Sequence, residues 1–202
     1  MTPTTSELIL EAARRTIRAR GPERLSISAV AAEAGVSRPT LYRWFPTKAL
    51  LLGALAAYEV EQFDAGLLST VAGHDDDPAR RLDAALRFLV TYLDTTLGAH
   101  SIHADAESSL QGLADSLRPH VDSLARVLDD ALDEVPSVRS GRATREQAAE
   151  MFLRLAYSQY LVPDPDPERL LATVRAFAGL TRASGAARRR GAGPAQPRAR
   201  QR

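Results

Sequence analysis

The residues from Ser26 to Lys48, SISAVAAEAGVSRPTLYRWFPTK, leave little choice of local structure. Ile27, Val30, Ala31 and Ala34 recur at the three- and four-residue spacing that puts them on one face of a helix. Gly35 supplies the left-handed backbone that ends this helix and turns the chain, and Val36 plugs the turn. Ser37 is suited to cap a second helix by accepting from a backbone N–H two or three residues on. Pro39 falls in that helix's first turn, where a missing N–H costs nothing. Leu41 and Phe45, four apart, face inward and leave Arg38, Thr40, Tyr42 and Arg43 outside. Two short helices, a tight turn and a polar outer face make a helix-turn-helix whose exposed side carries DNA-contacting groups.

The flanking residues build outward from this stretch. Thr4 and Glu7 form a capping box for a first helix, with Leu8, Ile9, Ala12, Ala13 and Ile17 as its apolar stripe and Arg14, Arg15, Arg18 and Arg20 around the other side. Gly21-Pro22 ends it, giving a three-helix head. Pro46-Thr47 stops the recognition helix and caps the next, which runs from Lys48 to about Val71, a length of about 36 Å at 1.5 Å per residue. That exceeds what the head needs, so this helix is expected to link head to body.

In the body, Asp77-Pro78 opens a helix carrying Leu82, Leu86, Leu89, Leu93 and Leu97 that stops near Gly98. A shorter polar piece follows, and Pro119 is expected to start a new helix burying Val121, Leu124, Val127, Leu128, Ala131 and Leu132. Pro136 to Arg142 reads as a loop, before two last helices over about 143–161 and 167–182. No segment alternates as a half-buried strand does. The expected fold is all-α, about nine helices, with a DNA-binding domain at 1–48, an effector-binding and dimerisation domain at 49–183 and a disordered basic tail at 184–202.

Charge is distributed to match. The net charge of +1 conceals +4 over residues 1–48, −9 over 49–183 and +6 over 184–202, so basic ends flank an acidic body. Such polarity suits a protein that presents one end to a polyanion. The arginine tail either adds non-specific DNA affinity through counterion release or is an unselected end. Cysteine is absent, which excludes disulfides and thiolate metal sites. With no signal pattern at the start and no apolar run near the ~20 residues a bilayer needs, a cytoplasmic location without membrane contact is expected.

AVAAEAGVSRPTLYRWFPTKALL resembles the head of the TetR family of transcriptional repressors, whose recognition helix ends in an aromatic–x–Phe–x–x–Lys pattern, here Tyr42, Phe45 and Lys48. The resemblance covers about Thr5 to Leu55; beyond it only helix count and order agree. It implies a homodimer on a palindromic double-stranded DNA operator, released when a small molecule enters the body. It also implies that the Tyr42 hydroxyl contacts phosphate and that Lys48 anchors one. Lys48 is the chain's single lysine among twenty-five arginines, and a cation at a helix N-terminus is disfavoured unless an anion compensates. Ser37, Arg38, Pro39 and Thr40 stand at the end of the recognition helix that enters the major groove in this architecture. Arg38 either reads a guanine bidentately or contacts phosphate. Arg43 serves phosphate or is solvated, while Ser26 and Ser28 cap the preceding helix and hold a phosphate at its amides. Trp44 packs or touches the DNA backbone.

For the body, His100 and His103, beside Asp105 and Glu107, have a spacing that can share a metal on a helix, but a polar helix end explains them as well, and no metal is expected. The candidate polar groups of an apolar effector pocket are Tyr92, His100, His103, Tyr157 and Tyr160. The two last helices carry more apolar surface than one body can cover and are expected to pair with their symmetry mates as a four-helix bundle. A DNA-binding protein without an effector, constitutive or architectural, is the alternative. Nucleophile-elbow, phosphate-loop and HExxH patterns are missing, so neither an enzyme nor a cofactor is expected.

Overall fold

Each helix of the head starts where a side chain takes up its orphan N–H groups. The computed structural model describes residues 3–21, 24–97, 106–162 and 166–180. Helix α1 (Thr5–Arg20) opens on a reciprocal pair: Thr4 Oγ1 accepts from the Glu7 N–H at 3.2 Å, and the Glu7 carboxylate accepts from the Thr4 N–H at 2.7 Å. Ser26 caps α2 (Ile27–Ala34), Ser37 caps α3 (Arg38–Trp44) and Thr47 caps α4 (Lys48–Val71). Caps of this kind contribute about 1 kcal/mol each. Between α2 and α3, Gly35 sits at φ +67°, the left-handed turn that the motif requires.

Two hydrophobic cores follow. Ile9, Ala12, Ala13, Leu25, Val30, Ala31, Leu41 and Phe45 close the first. Arg15 fastens α1 to α2 through Glu33 at 2.8 Å. Leu8, placed by its spacing on the apolar stripe, is instead exposed, because Ile9, Ala12 and Ala13 take the inward positions. The second core joins α5 (Pro78–Leu97), α6 (Ala106–Leu128), a 3-10 turn (Asp129–Glu134), the single-turn α7 (Pro136–Arg139), α8 (Arg145–Leu161) and α9 (Pro167–Phe177). Helix α4 feeds both: Leu51 and Leu55 enter the first core, while Phe63, Leu67 and Val71 enter the second. The fold is all-α. Among the described residues there are nine α-helices and no strand.

Three expectations about the body change. Pro119 does not begin a helix; it lies inside α6. An interior proline costs about 3 kcal/mol. Burial on both sides offsets that cost, with Leu113 before it and Val121, Leu124 and Leu128 after it on one core. Pro136 to Arg142, expected as loop, contains the turn of α7. The last helix ends at Phe177 rather than near 182, because Gly179 at φ +76° closes a Schellman motif: its N–H reaches the Ala176 carbonyl at 3.2 Å and the Leu180 N–H reaches Arg175 at 2.9 Å. The expectations for the polar piece around His100 and for the tail lie outside the described residues.

Candidate DNA interface and effector site

The recognition helix α3 is held by one face and free on the other. Leu41 is fully buried and Phe45 nearly so, which fixes the rotation of the helix on the head. The opposite face carries Arg38, Pro39, Tyr42, Arg43 and Trp44, all exposed. Tyr42 and Trp44 expose about half their surface, 50% and 47%, an unusual state for aromatics that have no partner to cover them. The Ser37 and Thr40 hydroxyls stand 2.8 Å apart, and Ser37 Oγ also accepts from the Thr40 N–H at 3.2 Å. The helix start is therefore braced before any ligand arrives. Ser26 Oγ accepts from the Ala29 N–H at 3.1 Å at the start of α2, with Ser28 partly buried two residues on. Lys48 occupies the first position of α4 beside its cap Thr47, exposed on the same polypeptide turn that leaves α3. Arg38, Arg43 and Lys48 form no ion pair with another described residue. The body arginines differ: Arg126 meets Asp64 at 2.6 Å, Arg175 meets Asp83 at 2.7 Å and Arg145 meets Asp133 at 2.6 Å.

Between α4, α5, α6 and α8 the second core holds a buried polar cluster around His120. His120 is 4% exposed and stacks on Phe63 with centroids 4.2 Å apart. Phe88 and Tyr92 lie 5.5 and 5.2 Å from Phe63, and Tyr92 stands edge-on to His120 at 6.4 Å. His120 Nδ1 is 3.0 Å from the Tyr157 hydroxyl, which is 3.1 Å from Ser116 Oγ. Burial pushes the His120 ring down to about 4 despite the nearby Asp64 carboxylate, so the imidazole is neutral. Burial also pushes the Tyr157 phenol up, only partly opposed by Ser116, so it keeps its proton. Beside this cluster on α4, desolvation raises the half-buried Glu59 carboxyl to about 7, against the pull of Arg14 on α1. Tyr92 donates to the Glu59 carbonyl at 3.4 Å.

Of the five residues expected to line a pocket, Tyr92 and Tyr157 thus meet around one histidine. His100, His103 and the Tyr160 side chain lie outside the described residues. His120 and Ser116 escaped the sequence reading because Pro119 seemed to begin a helix and so broke the stripe. Read through the proline, Leu113, Leu117, His120 and Leu124 share one face, and a histidine on an apolar stripe was the available signal.

Helices α8 and α9 keep apolar groups outside. Met151 and Leu155 border a shallow groove with Gln147, Glu150, Arg154 and Ser158, and Phe177 on α9 exposes 70% of its surface.

Comparison with known proteins agrees with this arrangement. Residues 9–55 match the model of bacterial regulatory proteins, tetR family. Over 158 residues the chain is 25% identical to the nucleoid occlusion factor SlmA of Shewanella sp. (strain W3-18-1), covering 76% of this chain and 78% of that protein. A TetR transcription regulator from Haloarcula marismortui ATCC 43049 superposes with a TM-score of 0.65 at 19% identity, over 86% of this chain and 96% of that one. AibR, solved in complex with isovaleryl coenzyme A and operator DNA, superposes with a TM-score of 0.59 at 23% identity, over 87% of this chain and 99% of that one. With an exposed recognition helix on a three-helix head, residues 9–55 are those of a head of the bacterial regulatory proteins, tetR family, and the all-α body behind them shares the fold of the solved TetR transcription regulator.

Proposed function

We propose that this chain is a homodimeric repressor that binds a palindromic operator and releases it when a small molecule occupies the body. In this reading residues 1–48 are the DNA-binding unit, 49–183 the effector and dimerisation unit, and 184–202 a basic tail. Ser37, Arg38, Pro39 and Thr40 meet the major groove, while Ser26, Ser28, Tyr42, Arg43 and Lys48 hold the backbone on either side. The Met151–Leu155 face of α8 and Phe177 of α9 pair with a second copy. The observation that carries the reading is that α4 begins at Lys48, on the DNA side, and ends among the core residues that surround His120. A ligand that prefers one packing of that core biases the position of Lys48, and effector and operator then weaken each other by one factor. The solved AibR complex, with isovaleryl coenzyme A and operator DNA in one crystal, offers a precedent for both partners on this fold.

Selection of bound DNA from a random pool tests the first half: a two-fold symmetric site bound by two chains is expected, and an asymmetric or sequence-indifferent pool would overturn it. A DNA-binding protein without an effector is the second reading, favoured by the likeness to a nucleoid occlusion factor. It predicts that operator affinity is indifferent to every ligand that binds the body.

A further inference from the structure

Residues 184–202, SGAARRRGAGPAQPRARQR, hold six arginines, no acid and no aromatic side chain. The fold decides where those charges start from. Helix α5 runs back along α4, with Phe88 against Gly66 and Tyr92 against Glu59, so the first turns of α5 lie at the Val71 end of α4. Helix α9 runs along α5 towards that same end: Glu168 stands 3.9 Å from Arg87, and Arg175 meets Asp83 at 2.7 Å. Beyond it a Cβ on Gly179 would stand 3.0 Å from Pro136 Cγ, and Leu180 packs on the second core. The chain thus leaves the described fold at the end of α4 opposite Lys48, the length of a 24-residue helix away, about 36 Å.

That position limits which DNA the arginines can serve. Arg188 lies eight residues past Leu180, and whatever their conformation these residues span at most about 29 Å at ~3.6 Å each. Arg188 therefore falls short of Lys48, and Arg190 draws level with it only as a wholly straight chain. The three arginines after Pro197 have chain enough for either end, so the triplet decides. The body offers it no better anchor. Carboxylates on the elements around α9 already have arginine partners: Asp83 with Arg175, Asp130 with Arg81, Asp133 with Arg145 and Glu134 with Arg139. A duplex, by contrast, carries one phosphate charge per ~1.7 Å of axis, and each arginine that meets one releases a counterion. Single strands are held in good part by stacking on aromatic side chains, and this segment has none.

We propose that residues 184–202 bind the backbone of a second DNA duplex at the end of the molecule remote from α3, so that one chain ties two stretches of DNA together. The contact is to phosphate and reads no sequence. It takes from the reading above only that the head binds DNA, and needs neither an effector nor an operator of particular symmetry. Six arginine–phosphate contacts give a salt slope of about −5, so the second duplex is held about 10³-fold more weakly at 200 mM salt than at 50 mM.

The test uses the full-length protein. A biotinylated duplex from the random pool is immobilised and saturated with protein, and a fluorescent duplex of unrelated sequence, or its single strand, is then offered. Capture of the duplex is expected, at least about tenfold tighter than that of the single strand, and falling with salt along the slope given above. Deletion of residues 184–202 should lower capture at least about tenfold and leave affinity for the immobilised operator within about twofold. Arg188→Ala, Arg189→Ala and Arg190→Ala together should remove about half of the slope. A chain carrying both Arg38→Ala and Lys48→Ala, whose head is weakened, should still bind free duplex with the tail's slope and lose that binding with the deletion. This arm reads the segment whether or not the head recognises an operator. No capture by the full chain, capture indifferent to the deletion, or preference for the single strand would overturn the proposal. So would a deletion that weakens the operator complex as much as it weakens capture, since the arginines would then lie on the same DNA as the head.

Discussion

Arg38, Lys48 and Glu59 show three ways in which one side chain carries a consequence for the molecule. Arg38 is exposed at the start of α3 and forms no ion pair with another described residue, so no described carboxylate competes with DNA for its guanidinium. Arg38→Ala should weaken binding to the selected operator about 5- to 150-fold and flatten preference at one base pair, as a lost bidentate contact does. Lys48→Ala should instead weaken all sequences alike and reduce the salt slope by about one, since a phosphate contact releases roughly one counterion. Equilibrium titrations on operator and scrambled DNA at several salt concentrations separate the two. Glu59 speaks through pH. Its carboxyl is raised from 4.5 to about 7, first by burial, so between those values the fold holds a proton that the unfolded chain has released. Its contribution is complete below 4.5 and is lost as pH rises through 7. His120, lowered from 6.5 to about 4, has the opposite sign: its contribution is complete above 6.5 and is lost as pH falls towards 4. Glu59→Gln should therefore raise stability at pH 8 by about 1–3 kcal/mol and change it little at pH 4, read by urea unfolding at both values.

At the scale of the element, α4 holds a contrast between two glycines. A Cβ on Gly53 would meet nothing within 4 Å, whereas one on Gly66 would stand 2.9 Å from Phe88 Cε2. Phe88 cannot give way cheaply, because Phe63 and Tyr92 hold its ring from two sides. Gly53→Ala should stabilise the protein by about 1 kcal/mol through helix propensity, and Gly66→Ala should destabilise it by about 1–3 kcal/mol through overpacking. Thermal melts of the pair check both signs. Elements whose ends are set by local chemistry were legible in the sequence: Thr4 with Glu7, Ser26, Ser37 and Thr47 each start a helix where expected, and Gly35 turns the motif. Where tertiary packing overrides a local signal, the reading missed. Pro119 marks a helix start by every local rule, yet burial of Leu113 and Val121 on one core carries α6 through it. The same miss hid His120, since a stripe cut in two no longer displays its odd member. Gly179 was a local signal passed over, and it ends α9 at Phe177. The outward groups of α3 were legible because Leu41 and Phe45 fix the rotation of so short a helix, whereas Tyr92 and Tyr157 converge from α5 and α8 in a way that no spacing along the chain encodes.

The whole molecule is polarised in charge and in cover. Acidic residues dominate the body, the head is basic, and the far face of α8 and α9 leaves Met151, Leu155 and Phe177 partly or largely open. If that face pairs with a second copy, Phe177→Asp should shift the protein towards monomer in sedimentation experiments and lower operator affinity at least tenfold, because two half-sites would no longer be bound together. An unchanged sedimentation coefficient would move the interface elsewhere. Helix α4 has a further consequence, for how the molecule comes apart. Leu51 and Leu55 belong to one core, and Phe63, Leu67 and Val71 to the other. Neither core can melt without exposing part of a helix on which its neighbour depends, so their unfolding is coupled rather than sequential. The chain's one tryptophan, Trp44, lies in the head, while most helical residues lie in the body. Fluorescence of Trp44 and far-ultraviolet dichroism should therefore trace the same denaturation curve, although the two signals come from opposite ends of the protein. Two separated midpoints would mean that α4 frays between Leu55 and Phe63, and that the head folds on its own account.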